Sequence, residues 1–131
     1  MKHNSILITK YIMQLLLNNS ELKKKIGNKV YPIVATQSAA VPFVTITRMG
    51  CTTEYTKDGF LMDTVSIMIR VVTDKYIDSV EIANLVRNAV ELHSFNGDEL
   101  SIRAIHLNGI SEMYDDNNGF VQTINFTCEV K

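Results

Sequence analysis

The alternation of apolar and polar residues along the chain predicts four main β-strands in two hairpins. The first pair spans residues 41–49 and 61–72, and the second pair spans residues 100–108 and 120–130. The first pair is joined by a stretch that contains the turn signal Lys57-Asp58-Gly59, so we expect the tip of that hairpin to project. A loop rich in Asp, Asn and Gly joins the second pair. The pattern indicates a mostly antiparallel sheet.

The last predicted strand has one apolar face with a single interruption. Every second residue from Phe120 to Val130 is apolar except Gln122, and the opposite face is polar. Such a pattern is typical of a strand with one face in the core and one face in water.

Apolar residues at helical spacing predict two principal helices. One covers residues 5–18, and the other covers residues 76–93. A further short helical turn is expected at residues 21–26, where Gly27 would stop it. The order of elements is therefore α-β-β-α-β-β. We expect residues 1–131 to form a single α+β domain, in which a sheet of about four main strands packs its two helices on one face.

The segment from Ile33 to Val41 shows neither the alternation of a strand nor the apolar spacing of a helix. It lies between Pro32 and Pro42, the two prolines of the chain, and contains only small, aliphatic or uncharged polar residues. The segment is apolar yet too irregular for a core element. It can tuck beneath the first helix or meet another protein, and the sequence leaves both interpretations open.

Composition and charge narrow the class of protein. The chain has 131 residues, of which 46% are hydrophobic and 21% are charged, as in ordinary globular domains. A net charge of −1 provides no basic surface for nucleic acid or for an anionic membrane. No apolar run reaches the length of a membrane span, and the start of the chain does not resemble a signal peptide. We expect a protein that is made and kept in a cytoplasm.

Residues that carry catalytic or metal chemistry are few and scattered. Cys51 and Cys128 alone cannot form a structural zinc site, and the three histidines belong to no metal-binding motif. The acidic turn that starts at Asp115 lacks the glycine and glutamate spacing of a calcium loop. No nucleophile elbow or phosphate-binding glycine loop is present. We expect no enzyme activity, no cofactor and no metal, with a small cytoplasmic enzyme or ligand-binding domain as the alternative from another class.

Several short motifs in this order resemble the tail-completion, or tail-terminator, proteins of long-tailed bacteriophages and prophages. A leading helix is followed by Val30-Tyr31-Pro32, and a loop of small residues then ends in Val41-Pro42-Phe43-Val44. After the second strand, Asp74-Lys75-Tyr76 opens a helix that contains Ile82-Ala83-Asn84-Leu85. The likeness covers nearly the whole chain.

The resemblance implies an assembly role without catalytic residues. Proteins of this family form a ring, commonly a hexamer, at the end of the tail tube, where the ring stops tube polymerisation and offers the surface that joins tail to head. The implied partners are further copies of the chain, the tail-tube protein and a head–tail connector protein, with no nucleic-acid readout and no membrane. The implied location is the tail end of the virion, after assembly in the bacterial host cytoplasm. Another head–tail connector or neck protein is the alternative within this class.

A ring of identical subunits needs two different surface patches that complement each other. We expect one patch in the irregular segment and the other at the tip of the first hairpin. The candidate interface residues are Ile33, Val34, Gln37 and Val41 in the segment, and Tyr55, Lys57, Asp58 and Phe60 at the tip.

Overall fold

The computed structural model describes residues 3–92 and 94–131, and it describes the backbone but not the side chain of Phe60. A short 3-10 turn, Ser5–Leu7, leads into the first helix. The helices are α1 (Ile8–Leu17), α2 (Ser20–Ile26) and α3 (Tyr76–Val90). The strands are β1 (Val30–Pro32), β2 (Phe43–Thr56), β3 (Gly59–Thr73), β4 (Phe95–Asn96), β5 (Ser101–Asp115) and β6 (Gly119–Val130).

The strands form one sheet in the order β1-β2-β3-β6-β5-β4. All neighbouring pairs are antiparallel except β1 and β2, which run parallel. The α+β class is confirmed, but the expected number of about four strands and the order α-β-β-α-β-β are wrong in detail. Two strands of three and two residues, β1 and β4, extend the sheet at its edges, whereas the short helical turn expected at residues 21–26 is present as α2. Elements this short contain too few residues to show a period.

Helices α1 and α3 cover one face of the sheet. Alternate residues of the central strands, such as Ile69 and Phe126, are fully buried there. They share one cluster with Ile12 of α1 and Val86 of α3. Burying each aliphatic side chain of this size stabilises the fold by about 1.5–3 kcal/mol relative to leaving it in water. This cluster is the main core.

A smaller cluster lies on the opposite face of the sheet. Phe43, Val72 and Val121 alternate with residues of the main core, so their side chains point away from the helices. Part of the segment between β1 and β2 lies over them. The segment therefore packs on the far face of the sheet and not beneath the first helix.

Each long hairpin has an irregularity in its outer strand beside a glycine. In β2 the register shifts between Arg48 and Gly50, and in β5 it shifts between Leu107 and Gly109. One extra residue in the outer strand bends it and increases its twist. Beyond these points the outer strands are mostly exposed, with every residue from 48 to 58 exposed in the first hairpin. The bulges mark where each hairpin leaves the core.

Candidate interaction surfaces

The segment from Ile33 to Val41 divides into an exposed part and a packed part. Ile33 and Val34 are 72% and 71% exposed, whereas Ala35, Ala39 and the half-buried Val41 pack on the smaller cluster. Two adjacent aliphatic side chains therefore stand in water while their neighbours are held against the sheet. We call Ile33 and Val34 the apolar knob.

Backbone hydrogen bonds fix the conformation of the apolar knob. The Ile33 amide donates to the Ile46 carbonyl oxygen at 2.8 Å, and the Val34 amide donates to the Pro32 carbonyl oxygen at 2.7 Å. The second bond closes a three-residue turn around Ile33, whose φ is 66°. A positive φ is rare for a β-branched residue and costs of order 1–3 kcal/mol. The fold thus holds an isoleucine outward in an unfavourable backbone conformation.

Gln37 lies in the exposed stretch 36–38, between the two packed alanines, Ala35 and Ala39. Together with Ile33 and Val34 it lines a cavity of about 290 Å³, whose far side is formed by Arg70 and Asn118. Three of the four predicted residues of the segment therefore line one cavity, and the fourth, Val41, packs on the smaller cluster.

The tip of the first hairpin projects beyond the rest of the sheet. The pairing of β3 with β6 begins at Asp63, so the residues from Glu54 to Met62 pair only across the hairpin. Tyr55 is 74% exposed, and Lys57 and Asp58 are exposed in the turn. The side chain of Phe60, the fourth predicted tip residue, lies outside the described part of the structure.

The structure does not bring the two predicted patches together. Ile33 lies beside Ile46 near the start of β2, whereas Tyr55 lies near its end. Tyr55 lies nine positions beyond Ile46 along β2, which is about 30 Å at the usual rise per residue. The segment and the hairpin tip are two separate surfaces.

Asp63 anchors the base of the projecting hairpin to the start of the chain. Its carboxylate is 5% exposed and accepts hydrogen bonds from the hydroxyls of Ser5 and Thr53. Burial alone would raise the pKa of Asp63, but these two hydrogen bonds and the charge of His3 outweigh it, so the pKa is lowered. Asp63 therefore stays ionised and joins the turn before α1 to both strands of the hairpin.

A second exposed apolar surface lies on the second hairpin, beside the start of α3. A cavity of about 260 Å³ opens between α3 and the hairpin. Its lining residues are Tyr76, Glu112, Met113, Tyr114, Phe120 and Gln122. The ring of Phe120 contacts those of Tyr76 and Tyr114, with centroids 5.7 Å and 5.0 Å away. We call this the aromatic cavity, and the sequence-based candidates did not include it.

A polar network supports the floor of the aromatic cavity. Gln122 is only 5% exposed, and its Nε2 donates to Glu112 Oε2 at 2.9 Å and to Ser79 Oγ at 3.2 Å. The Tyr76 hydroxyl donates to the same carboxylate at 3.0 Å. This hydrogen bond and the negative charge of Glu112 raise the pKa of Tyr76. The network explains the polar residue on the apolar face of β6, which was the one sequence signal for this site.

Thiol groups and potential metal ligands are scattered over the described residues. No three His, Cys, Asp or Glu side chains within residues 3–92 and 94–131 could hold a metal ion together. Burial raises the pKa of the Cys128 thiol to about 12, so this thiol is unreactive. Cys51 is exposed on β2. Among the helices that the structure describes, none is long and apolar enough to cross a membrane.

Comparisons with known proteins show a shared fold. No family model matches the sequence, and no curated protein matches it. Among solved structures, the chain is similar to a chain in the virion of a native gene transfer agent particle, with a TM-score of 0.84 and 15% sequence identity. The match covers 99% of this chain and 98% of the other chain. A TM-score this high over nearly the full length of both chains establishes a common fold.

Proposed function

We propose that this protein is a tail terminator that closes the end of a phage-type tail tube as a ring of identical subunits. The observation that carries the proposal is the full-length structural match to a chain in a gene transfer agent virion, since nearly every element of the fold has a counterpart there. The motifs Val30-Tyr31-Pro32 and Val41-Pro42-Phe43-Val44 support the same assignment. The protein acts through contacts between proteins and not through catalysis.

In this role the ring binds the last layer of the tail-tube protein on one side and a head–tail connector protein on the other. The bound ring stops tube growth because it covers the surface on which the next tube subunits would add. We propose a hexamer, located at the tail end of the virion after assembly in the host cytoplasm.

We assign the subunit contacts to two surfaces, one in the segment from Ile33 to Val41 and the other at the tip of the first hairpin. The first is the apolar knob with Gln37 beside it, and the second is the tip with Tyr55, Lys57, Asp58 and Phe60. Val41 borders the first surface and also holds the segment against Phe43. A head-to-tail ring joins unlike patches, so each of these surfaces meets a different surface of the neighbouring copy.

The proposal is tested by capping of tail tubes. The tail-tube protein encoded in the same genome is polymerised with and without this protein, and tube lengths are measured by electron microscopy. We expect short tubes that end in a ring when the protein is present, and long tubes without it. Tubes of unchanged length with bare ends, together with a monomer at every concentration in native mass spectrometry, would refute the proposal.

Val34→Asp is the informative variant, and Lys24→Asp is its matched control. Fully burying a valine side chain is worth about 1.5–3 kcal/mol, and a ring contains this contact at every subunit boundary. The charge in Val34→Asp should therefore abolish capping while the free energy of unfolding stays within about 0.5 kcal/mol of wild type, as is usual for exposed positions. Lys24 is exposed on α2, an element that carries neither surface, so its substitution should leave capping intact.

A further inference from the structure

We propose that the apolar knob of one copy inserts into the aromatic cavity of the next copy. This inference rests on the proposed ring and names the surface that receives Ile33 and Val34. The occupant of the aromatic cavity is a second copy of this chain, and three observations support the pairing: position in the sheet, charge and size.

The knob and the cavity lie at opposite edges of the sheet. Ile33 hydrogen-bonds to Ile46 on the outer side of β2, next to β1. Met113 and Tyr114 lie on β5, whose outer side at this level carries no strand among the described residues, because β4 reaches only Ser101 and Ile102. Unlike patches on opposite edges are what a head-to-tail ring requires, whereas a two-fold dimer joins like patches.

The charges on the two edges are complementary. Residues 28–49, which carry the knob, include Lys29 and Arg48 and no acidic residue. Residues 107–125, which carry the cavity, include Glu112, Asp115 and Asp116 and no basic residue. Opposite charges around an apolar contact guide the approach and disfavour contact between like edges. The same arrangement predicts that ring assembly weakens as salt concentration rises.

The aromatic cavity has room for the knob. An apolar cavity of about 150 Å³ is enough to hold a benzene molecule, and this one has about 260 Å³. Its aromatic walls suit a branched aliphatic side chain, and the rings are already packed on one another. The knob is held outward by its two backbone hydrogen bonds. A contact whose two sides are already ordered loses little conformational entropy on binding.

The test is disulfide formation between copies, starting from the Cys51→Ser protein so that buried Cys128 is the only native thiol. One preparation carries Val34→Cys and the other carries Met113→Cys. The two are mixed under conditions where native mass spectrometry or tube-end binding detects rings. Neighbouring sites in an assembly face each other at about millimolar effective concentration, so the linked dimer should form about a thousandfold faster than for free chains at micromolar concentration.

Three controls make the result specific. Each single variant alone should not crosslink, because residue 34 of one copy does not meet residue 34 of another in a head-to-tail ring. Lys24→Cys mixed with Met113→Cys should crosslink only at the slow rate of free chains. The double variant Val34→Cys with Met113→Cys should form a ladder of linked species that ends in a closed ring.

The outcomes separate this inference from the proposed function. Rings that form without the Val34–Met113 link would overturn the pairing while the terminator role stands. Crosslinks between two Val34→Cys chains would also overturn it, because they indicate a two-fold contact between like edges. Complete absence of rings, both free and on tubes, would overturn the pairing together with the terminator role.

Discussion

The two long hairpins, β2–β3 and β5–β6, have the same bulge and turn features but differ in what supports their tips. In both, the outer strand leaves the core at a bulge beside a glycine, Gly50 or Gly109. In both, a glycine with positive φ, Gly59 or Gly119, closes the turn. The tip of the first hairpin projects past β6, whereas the end of the second packs against the start of α3 through Tyr76.

This difference gives the hairpins different capabilities. The projecting tip exposes side chains on both faces and can reach a neighbouring molecule. The supported end forms a concave surface, because α3 stands beside the strands and leaves the aromatic cavity between them. Similar bulges and turn glycines thus produce a projecting tip in the first hairpin and a concave surface in the second. The difference depends on whether a helix lies beside the strands.

The largest expected effect contrasts the two turn glycines. A Cβ on Gly119 would lie 2.3 Å from the Thr73 carbonyl oxygen, and the φ of Gly119 is 105°. Gly119→Ala should therefore lower the free energy of unfolding by about 2–6 kcal/mol, since steric overlap adds to backbone strain. A Cβ on Gly59 meets no atom within 4 Å although its φ is 115°. Gly59→Ala should cost about 1–3 kcal/mol, from strain alone.

Urea denaturation of both variants measures this contrast. Equal losses would mean that the end of the second hairpin is no more tightly packed than the free tip. That result would remove the structural basis for treating the two hairpins differently.

The next effect concerns the anchor of the projecting hairpin. Asp63→Asn should lower the free energy of unfolding at neutral pH by about 1–3 kcal/mol, because hydrogen bonds to a buried carboxylate are replaced by weaker ones. The pKa of Asp63 is lowered in the folded state, so its stabilisation is present above the ordinary pKa of 3.8 and is lost as pH falls through the folded value. The stabilities of wild type and variant should therefore converge in acid.

Thermal unfolding between neutral and acidic pH checks this prediction. Ser5→Ala is the companion variant, since it removes one of the two hydroxyl donors and leaves the carboxylate in place. A stability difference between wild type and Asp63→Asn that persists unchanged in acid would show that the carboxylate charge does not hold the hairpin.

The smallest effect on stability is expected from chemical labelling of cysteine. Each hairpin contains one cysteine, and only one of the two is exposed. Cys51 lies on the exposed outer strand of the first hairpin, and Cys128 is fully buried in the second. A maleimide should modify one thiol per folded chain, at Cys51, and change the free energy of unfolding by less than about 0.5 kcal/mol. Modification of Cys128 should require unfolding, because the pKa of its buried thiol is about 12. Mass spectrometry with and without urea counts the modified sites.

The parts of the fold that the sequence predicts well are those with a buried face. Alternation found the core portions of the four long strands, and helical spacing found α1 and α3. The predicted first hairpin strand stops near Met49, whereas β2 continues to Thr56. Beyond the bulge both faces of β2 are in water, so no apolar alternation remains to mark the strand.

The candidate surfaces were less accessible from sequence. The apolar segment was noticed for its composition, but its division into an exposed knob and a packed part depends on the turn at Ile33 and on a cluster on the far face of the sheet. The aromatic cavity combines residues of α3, β5 and β6 that are distant in sequence. Gln122 was its one visible sign, since a polar residue on an apolar face needs buried partners.

The most direct test of the central claim measures the mass of the assembly formed at tube ends by wild type, Val34→Asp and Lys24→Asp. Tail tubes are mixed with each protein, and the mixtures are dissociated gently and analysed by native mass spectrometry. We predict one closed ring of identical subunits for wild type and for Lys24→Asp, and only folded monomer for Val34→Asp. Rings of the same mass from all three proteins would contradict the account, as would monomers from wild type.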